Sequence, residues 1–153
     1  DIQISSNFER LLFDLHGRNG AAIHDKMNKL RSEKKLTLSA EAYAQFKQEF
    51  AAGSADDTAT LATIKAVHAK TGELLDPHTA VGYAVALKHK AQAPMIVLAT
   101  AHPAKFPDAV KKATGAHPGL PAYLADLFNR PERVKPLPND KNSVQSFIES
   151  HIK

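Results

Sequence analysis

Met95-Ile96-Val97-Leu98-Ala99-Thr100-Ala101-His102-Pro103-Ala104-Lys105-Phe106 is the stretch on which the fold of this chain turns. Five apolar residues, Met95 to Ala99, follow Pro94 and run into a polar Thr-Ala-His-Pro turn. A short continuous apolar run between turn signals predicts a strand buried on both faces. Such strands belong to parallel sheets covered by helices. The missing N–H of Pro103 is harmless in a first helical turn, so a helix is predicted from Pro103 to about Thr114. In open α/β sheets, ligands bind at the carboxyl ends of strands. Thr100 holds that position and is the first candidate for chemistry.

Upstream, the pattern is helical. Ser5 or Ser6 can cap a helix carrying Phe8, Leu11, Leu12 and Leu15 on one face, and Glu9 stands at capping-box spacing from Ser6. Asn19-Gly20 predicts a turn, followed by a helix from Ala21 to Lys35. Ser39 caps a helix over residues 40–52. Asp56-Asp57 begins another, which Gly72 closes in the left-handed conformation. Asp76-Pro77 is a strong start signal, a capping carboxylate followed by proline at the first helical position. The helix it opens, through Leu87, is small and apolar and is predicted to be buried; Lys88-His89-Lys90 ends it.

Downstream, Gly115 to Pro121 is a loop, Ala122 to Phe128 a short helix, and Val134 to Pro138 an extended piece that its prolines keep out of a sheet interior. Asn139-Asp140 caps a last helix with Val144, Phe147, Ile148 and Ile152 on one face. One core strand among about eight helices lacks the neighbours a buried parallel strand needs. The opening Asp1-Ile2-Gln3-Ile4 begins in mid-pattern without a methionine. Both features predict a piece of a longer chain: an α/β fragment, predominantly helical, with one buried parallel-type strand near 95–100.

The composition narrows the function classes. The 153 residues suffice for one ordinary domain, and 43% apolar content is compatible with a packed core. No apolar run approaches the roughly 18–20 residues of a membrane-spanning helix. No basic-then-apolar leader is present, so cytosol is the default expectation. The absence of cysteine excludes disulfides and thiolate metal sites. A net charge of +4, from 20 basic and 16 acidic side chains, is scattered along the chain. That is weak ground for nucleic acid and suits a small anionic substrate as well. None of the eight histidines stands at metal-ligand spacing on one helix face, and no metal is expected. Gly-rich phosphate loops and a Gly-x-Ser-x-Gly elbow are missing.

Two constellations remain. Asp76-Pro77-His78-Thr79-Ala80-Val81-Gly82 is explained by a well-capped buried helix or by a binding site. Thr100-Ala101-His102-Pro103-Ala104-Lys105-Phe106 is explained by a strand-to-helix turn in which Thr100 bonds backbone, or by a ligand contact.

Together with Ile2-Gln3-Ile4-Ser5-Ser6-Asn7-Phe8-Glu9-Arg10-Leu11-Leu12, these motifs resemble the C-terminal third of the threonine synthase family, in its bacterial and fungal branch. The resemblance is specific as far as Phe106 and rests on general layout beyond it. It implies a fold type II pyridoxal-phosphate enzyme that converts O-phospho-L-homoserine and water to L-threonine and phosphate. The family's Schiff-base lysine and phosphate loop lie upstream of this segment, so no catalytic residue is expected here. Lys105 lies outside the family's lysine motif. The family residue at Thr100 faces the pyridine nitrogen of the cofactor, where a hydroxyl can donate to a neutral nitrogen and so tune the ring's electron demand. The resemblance puts Asp76 and Thr79 at the cofactor's edge and makes His102 a residue that orients the turn.

On this reading residues 1–20 are a domain helix, 21–72 a helical insertion or outer layer, and 73–153 the part lining the cofactor site. The expected partners are the rest of a threonine synthase chain and a small phosphorylated amino acid. The segment alone is expected to be inactive, with pyridoxal phosphate bound only in the full-length enzyme. The alternative is a self-sufficient, non-catalytic helical binding module with a closed core. An exposed apolar patch around the predicted strand distinguishes the two in favour of the fragment.

Overall fold

Six side chains begin six helices by the same local chemistry. Each accepts a hydrogen bond from a first-turn N–H that has no partner inside the helix. Ser5 accepts from Phe8, Asn19 from Ala22, Ser39 from Ala42, and Asp56 from Ala59. Asp76 accepts from His78 and Thr79, and Asp140 from Ser143. The computed structural model describes residues 5–89 and 92–152. The expectations placed on Asp1 to Ile4 and on Lys90 lie outside them.

The chain divides into two units, Asp1–Pro118 and Gly119–Lys153. The first holds α1 (Ser6–Leu15), α2 (Gly20–Glu33), α3 (Ala40–Glu49), α4 (Asp57–Thr71), α5 (Pro77–Ala86) and α6 (Pro107–Thr114). Helix α1 contacts α2 and α3, and α4 packs on both α5 and α6. Leu12, Ile23 and Met27 are buried together, with Leu30, Leu36 and Leu38 against them. On the second set of helices Ile64, Ala80 and Val110 are fully buried. Burial of a side chain the size of Ile64 contributes about 2 kcal/mol. Gly72 and Gly115 close α4 and α6 at φ of 80° and 77°, a conformation glycine adopts without steric cost.

The second unit holds two short 3-10 turns, Ala122–Leu124 and Leu127–Asn129, and α7 (Lys141–His151). Arg130 pairs with Asp126 at 2.6 Å. The ammonium of Lys135 lies over the Phe147 ring at 4.7 Å from its centroid.

Several expectations are corrected. No strand forms among the described residues, and the chain there is helices, turns and extended links. The run 95–100 is neither paired nor buried: Met95 is 51% exposed, Ile96 82% and Leu98 74%. A strand exists only through hydrogen bonds to a neighbour, and an apolar pattern cannot supply that neighbour. The helix expected from Pro103 to Thr114 is two pieces, a 3-10 turn over Pro103–Lys105 and then α6. The break falls at Phe106, because Pro107 disfavours helical backbone in the residue before it. Likewise the short helix expected at 122–128 is the two 3-10 turns.

At the N-terminal helix Ser5 is the cap and Ser6 the first helical residue, so the Ser6–Glu9 capping box does not form. Helix α2 begins at Gly20, with Asn19 as a true cap rather than part of a turn. Helix α5 is only partly interior: Thr79 and Ala80 are buried, while Leu87 beyond its end is 70% exposed.

Candidate functional site

Asp76 anchors the site. Pro77 starts α5 just after it, and the carboxylate turns back onto the helix's first free amides. Its Oδ1 accepts from the backbone N–H of His78 at 2.9 Å and of Thr79 at 3.3 Å. Its Oδ2 accepts from the Thr79 hydroxyl in a short hydrogen bond. Asp76 is 1% exposed and Thr79 4%. Burying a carboxylate costs free energy unless its oxygens are bonded, and here both are.

A carboxylate has no proton to give, so the Thr79 hydroxyl spends its one proton on Asp76 and keeps its lone pairs free. The backbone N–H of Thr100 donates to that oxygen at 3.1 Å. The two sequence constellations thus meet through Thr79. The extended run crosses α5 nearby: a Cβ added at Gly82 would stand 3.7 Å from Val97 Cγ1.

Thr100 spends its backbone N–H on this contact and leaves its hydroxyl without a partner among the described residues. Thr100 is exposed, and it borders a cleft of about 400 Å³. Gly53, Ser54, Asp57, Thr60 and His78 also line this cleft. The His78 ring meets Phe106 edge-on, with centroids 5.0 Å apart. His102 lies on the exposed turn, where its Nδ1 accepts from the Ala104 N–H at 3.2 Å. That is a capping contact at the start of the 3-10 turn. Lys105 is exposed and does not line the cleft.

Residues 53–57 carry no motif, and sequence reasoning missed their place beside Thr100. Gly53 packs closely there, where a Cβ would stand 2.8 Å from Val85 Cγ1. Lys88 holds this loop by donating to the Ser54 carbonyl at 3.2 Å.

The donor set fits one side of a pyridine-type cofactor and no more. A free hydroxyl on an anchored backbone can donate to a ring nitrogen, and the remaining lining mixes the apolar Ala55, Pro77 and Val81 with the polar Ser54, Asp57, Thr60 and His78. Among the described residues no lysine lines the cleft to hold an aldehyde, and the sequence carries no glycine-rich loop to hold a phosphate. Among the described residues, no group of three or more His, Cys, Asp or Glu could hold a metal ion. Nor is any helix there long and apolar enough to cross a membrane.

Comparison with known proteins places this geometry in context. Residues 79–148 match the family described as "Threonine synthase, C-terminal". The chain is 47% identical over 154 residues to threonine synthase of Pseudomonas aeruginosa, covering 99% of this chain and 33% of that protein. Its identity to threonine synthase of Saccharomyces cerevisiae is 32% over 167 residues, covering 97% of this chain and 32% of that one. Among solved structures, the pyridoxal-phosphate-bound threonine synthase of Brucella melitensis superimposes with a TM-score of 0.72 at 49% identity, over 99% of this chain and 33% of that one. The chain therefore spans about a third of the length of the relatives it matches. Motifs, sequence identity and fold agree that the chain is similar, over nearly its whole length, to the C-terminal region of threonine synthases.

Proposed function

We propose that this chain supplies one wall of the coenzyme pocket of a threonine synthase, a carbon–oxygen lyase acting on a phosphate ester. The overall reaction takes O-phospho-L-homoserine and water to L-threonine and phosphate. The substrate's carbon–oxygen bond to phosphate breaks, and water supplies the new hydroxyl. Pyridoxal phosphate, when bound, supplies an electron-withdrawing ring for the carbons near the substrate's amino group. The lysine and the phosphate loop that hold it belong to sequence outside this chain, as do most substrate contacts. The segment by itself is inactive, and the whole enzyme works in the cytoplasm.

The observation that carries this reading is the Thr100 hydroxyl at the lip of the cleft, which has no partner among the described residues. In this reading Thr100 donates to the ring nitrogen and leaves that nitrogen without a full positive charge. A carboxylate in the same place would favour the protonated ring. His78, Thr60 and Ser54 shape the polar side of the pocket, and His102 holds the turn that follows Thr100.

Exposed Met95, Ile96 and Leu98 support a segment whose cover lies outside this chain. A self-contained binding module would close over these residues.

The test is Thr100→Val in the full-length enzyme. The variant should retain pyridoxal phosphate, shift its absorption band and lose turnover by roughly a hundredfold. Unchanged band and turnover would remove Thr100 from the site. Borohydride trapping of the coenzyme on a lysine within these 153 residues would defeat the whole reading.

A further inference from the structure

We propose that Thr79 is a positioning residue for Thr100, acting with Asp76 and without itself touching the coenzyme. This rests on the role given to Thr100 above and adds the device that holds it.

Little else holds Thr100. Among the described residues, its N–H to the Thr79 hydroxyl is the only hydrogen bond that residues 92–101 make. No sheet ladder fixes the run's register, and the flanking Ala99 is exposed. Val97 over Gly82 adds an apolar contact upstream of Thr100.

The Thr79 end of the bond is rigid. A β-branched side chain in a helix has few χ1 choices, and Thr79 is buried. Its hydroxyl proton is committed to Asp76 Oδ2, so the oxygen must meet Thr100 as an acceptor. Asp76 is fixed in turn by two helix amides through Oδ1. Order passes outward from the N-terminus of α5, through carboxylate and hydroxyl, to one backbone amide. Because the anchor is the amide, the Thr100 side chain stays free for a ligand. Asp76 and Thr79 are too buried, and too fully bonded to each other, to contact a coenzyme themselves.

The experiment compares Thr79→Val, Thr79→Ser, Thr100→Val and the Thr79→Val/Thr100→Val double variant in the full-length holoenzyme. The coenzyme absorption band is read first, then kcat and KM. Thr79→Val should move the band in the same direction as Thr100→Val and lower kcat about tenfold, the size expected for one lost hydrogen bond. Thr79→Ser keeps the hydroxyl and should restore the wild-type band. The double variant should match Thr100→Val alone, because both changes remove the same contact.

If Thr100→Val moves the band while Thr79→Val does not, or if the two shifts add in full, the positioning role is overturned. If Thr79→Val fails to fold, Thr79→Ser decides: a serine protein with the Thr100→Val band is equally fatal. If Thr100→Val itself leaves band and turnover unmoved, the coenzyme reading fails first, whatever Thr79 does.

Discussion

The backbone N–H of Thr100 donates to the hydroxyl of Thr79, 21 residues earlier, at 3.1 Å. One hydrogen bond thus joins the capped start of α5 to the exposed run that ends at the cleft. It brings together two motifs that lie far apart in sequence.

Asp76→Ala should be among the most damaging polar substitutions in the chain. It removes a helix cap and strands the Thr79 hydroxyl and two amides, all buried or half-buried. The expected loss is about 2 kcal/mol of stability, read as a lowered urea midpoint. Asp76→Asn keeps the acceptor for the amides and should cost less. Equal losses would show that the amide contacts contribute nothing.

Ile64→Ala tests the helical core. Ile64 is fully buried on α4, against which α5 and α6 pack. Deleting its outer atoms should cost about 3 kcal/mol, since helices on two sides cannot both close the gap. A urea midpoint within error of wild type would mean that α4 does not sit where the structure puts it.

Ile96→Ser should behave differently in two contexts. In the 153-residue chain Ile96 is 82% exposed, and the change should be nearly neutral. In the full-length enzyme, where residues outside this chain are proposed to cover it, the same change should cost about 2 kcal/mol. A neutral result in both would argue that the apolar run stays bare.

Acid should loosen the start of α7. Hydrogen bonds from the Ser143 N–H, and then from its hydroxyl, hold the Asp140 carboxyl below the usual carboxylate range. A lowered folded-state pKa gives support that is present above the ordinary carboxylate pKa and is lost as pH falls through the folded value. Protection of the Ser143 amide, its exchange relative to the free-chain rate at the same pH, should therefore fall only at the acid end of a titration. Asp140→Ala should lower that protection at every pH.

How much of this was legible beforehand depends on the range of the interaction concerned. Ser39, Asp56, Asp76 and Asp140 were readable as caps because each bonds an amide two or three residues away. Gly72 was readable because a left-handed closing residue favours glycine. Pro107 signalled the break at Phe106 equally well, and the stronger-looking helix start at Pro103 masked it. The apolar run from Met95 misled for a different reason. Its pattern describes a strand that has neighbours, and none lies among the described residues. The place of Gly53 to Asp57 beside Thr100 left no trace in the local pattern.

By itself, the order of residues determined the capped starts at Ser39, Asp56, Asp76 and Asp140 and the resemblance to threonine synthases, because capping and motif spacing act over a few positions. Only the tertiary structure decided that Asp76 and Thr79 face inward to each other, that Thr100 keeps its hydroxyl free, and that Ile96 stands in solvent. Those outcomes depend on which distant groups arrive to accept a hydrogen bond or cover a side chain, and local spacing carries no record of that.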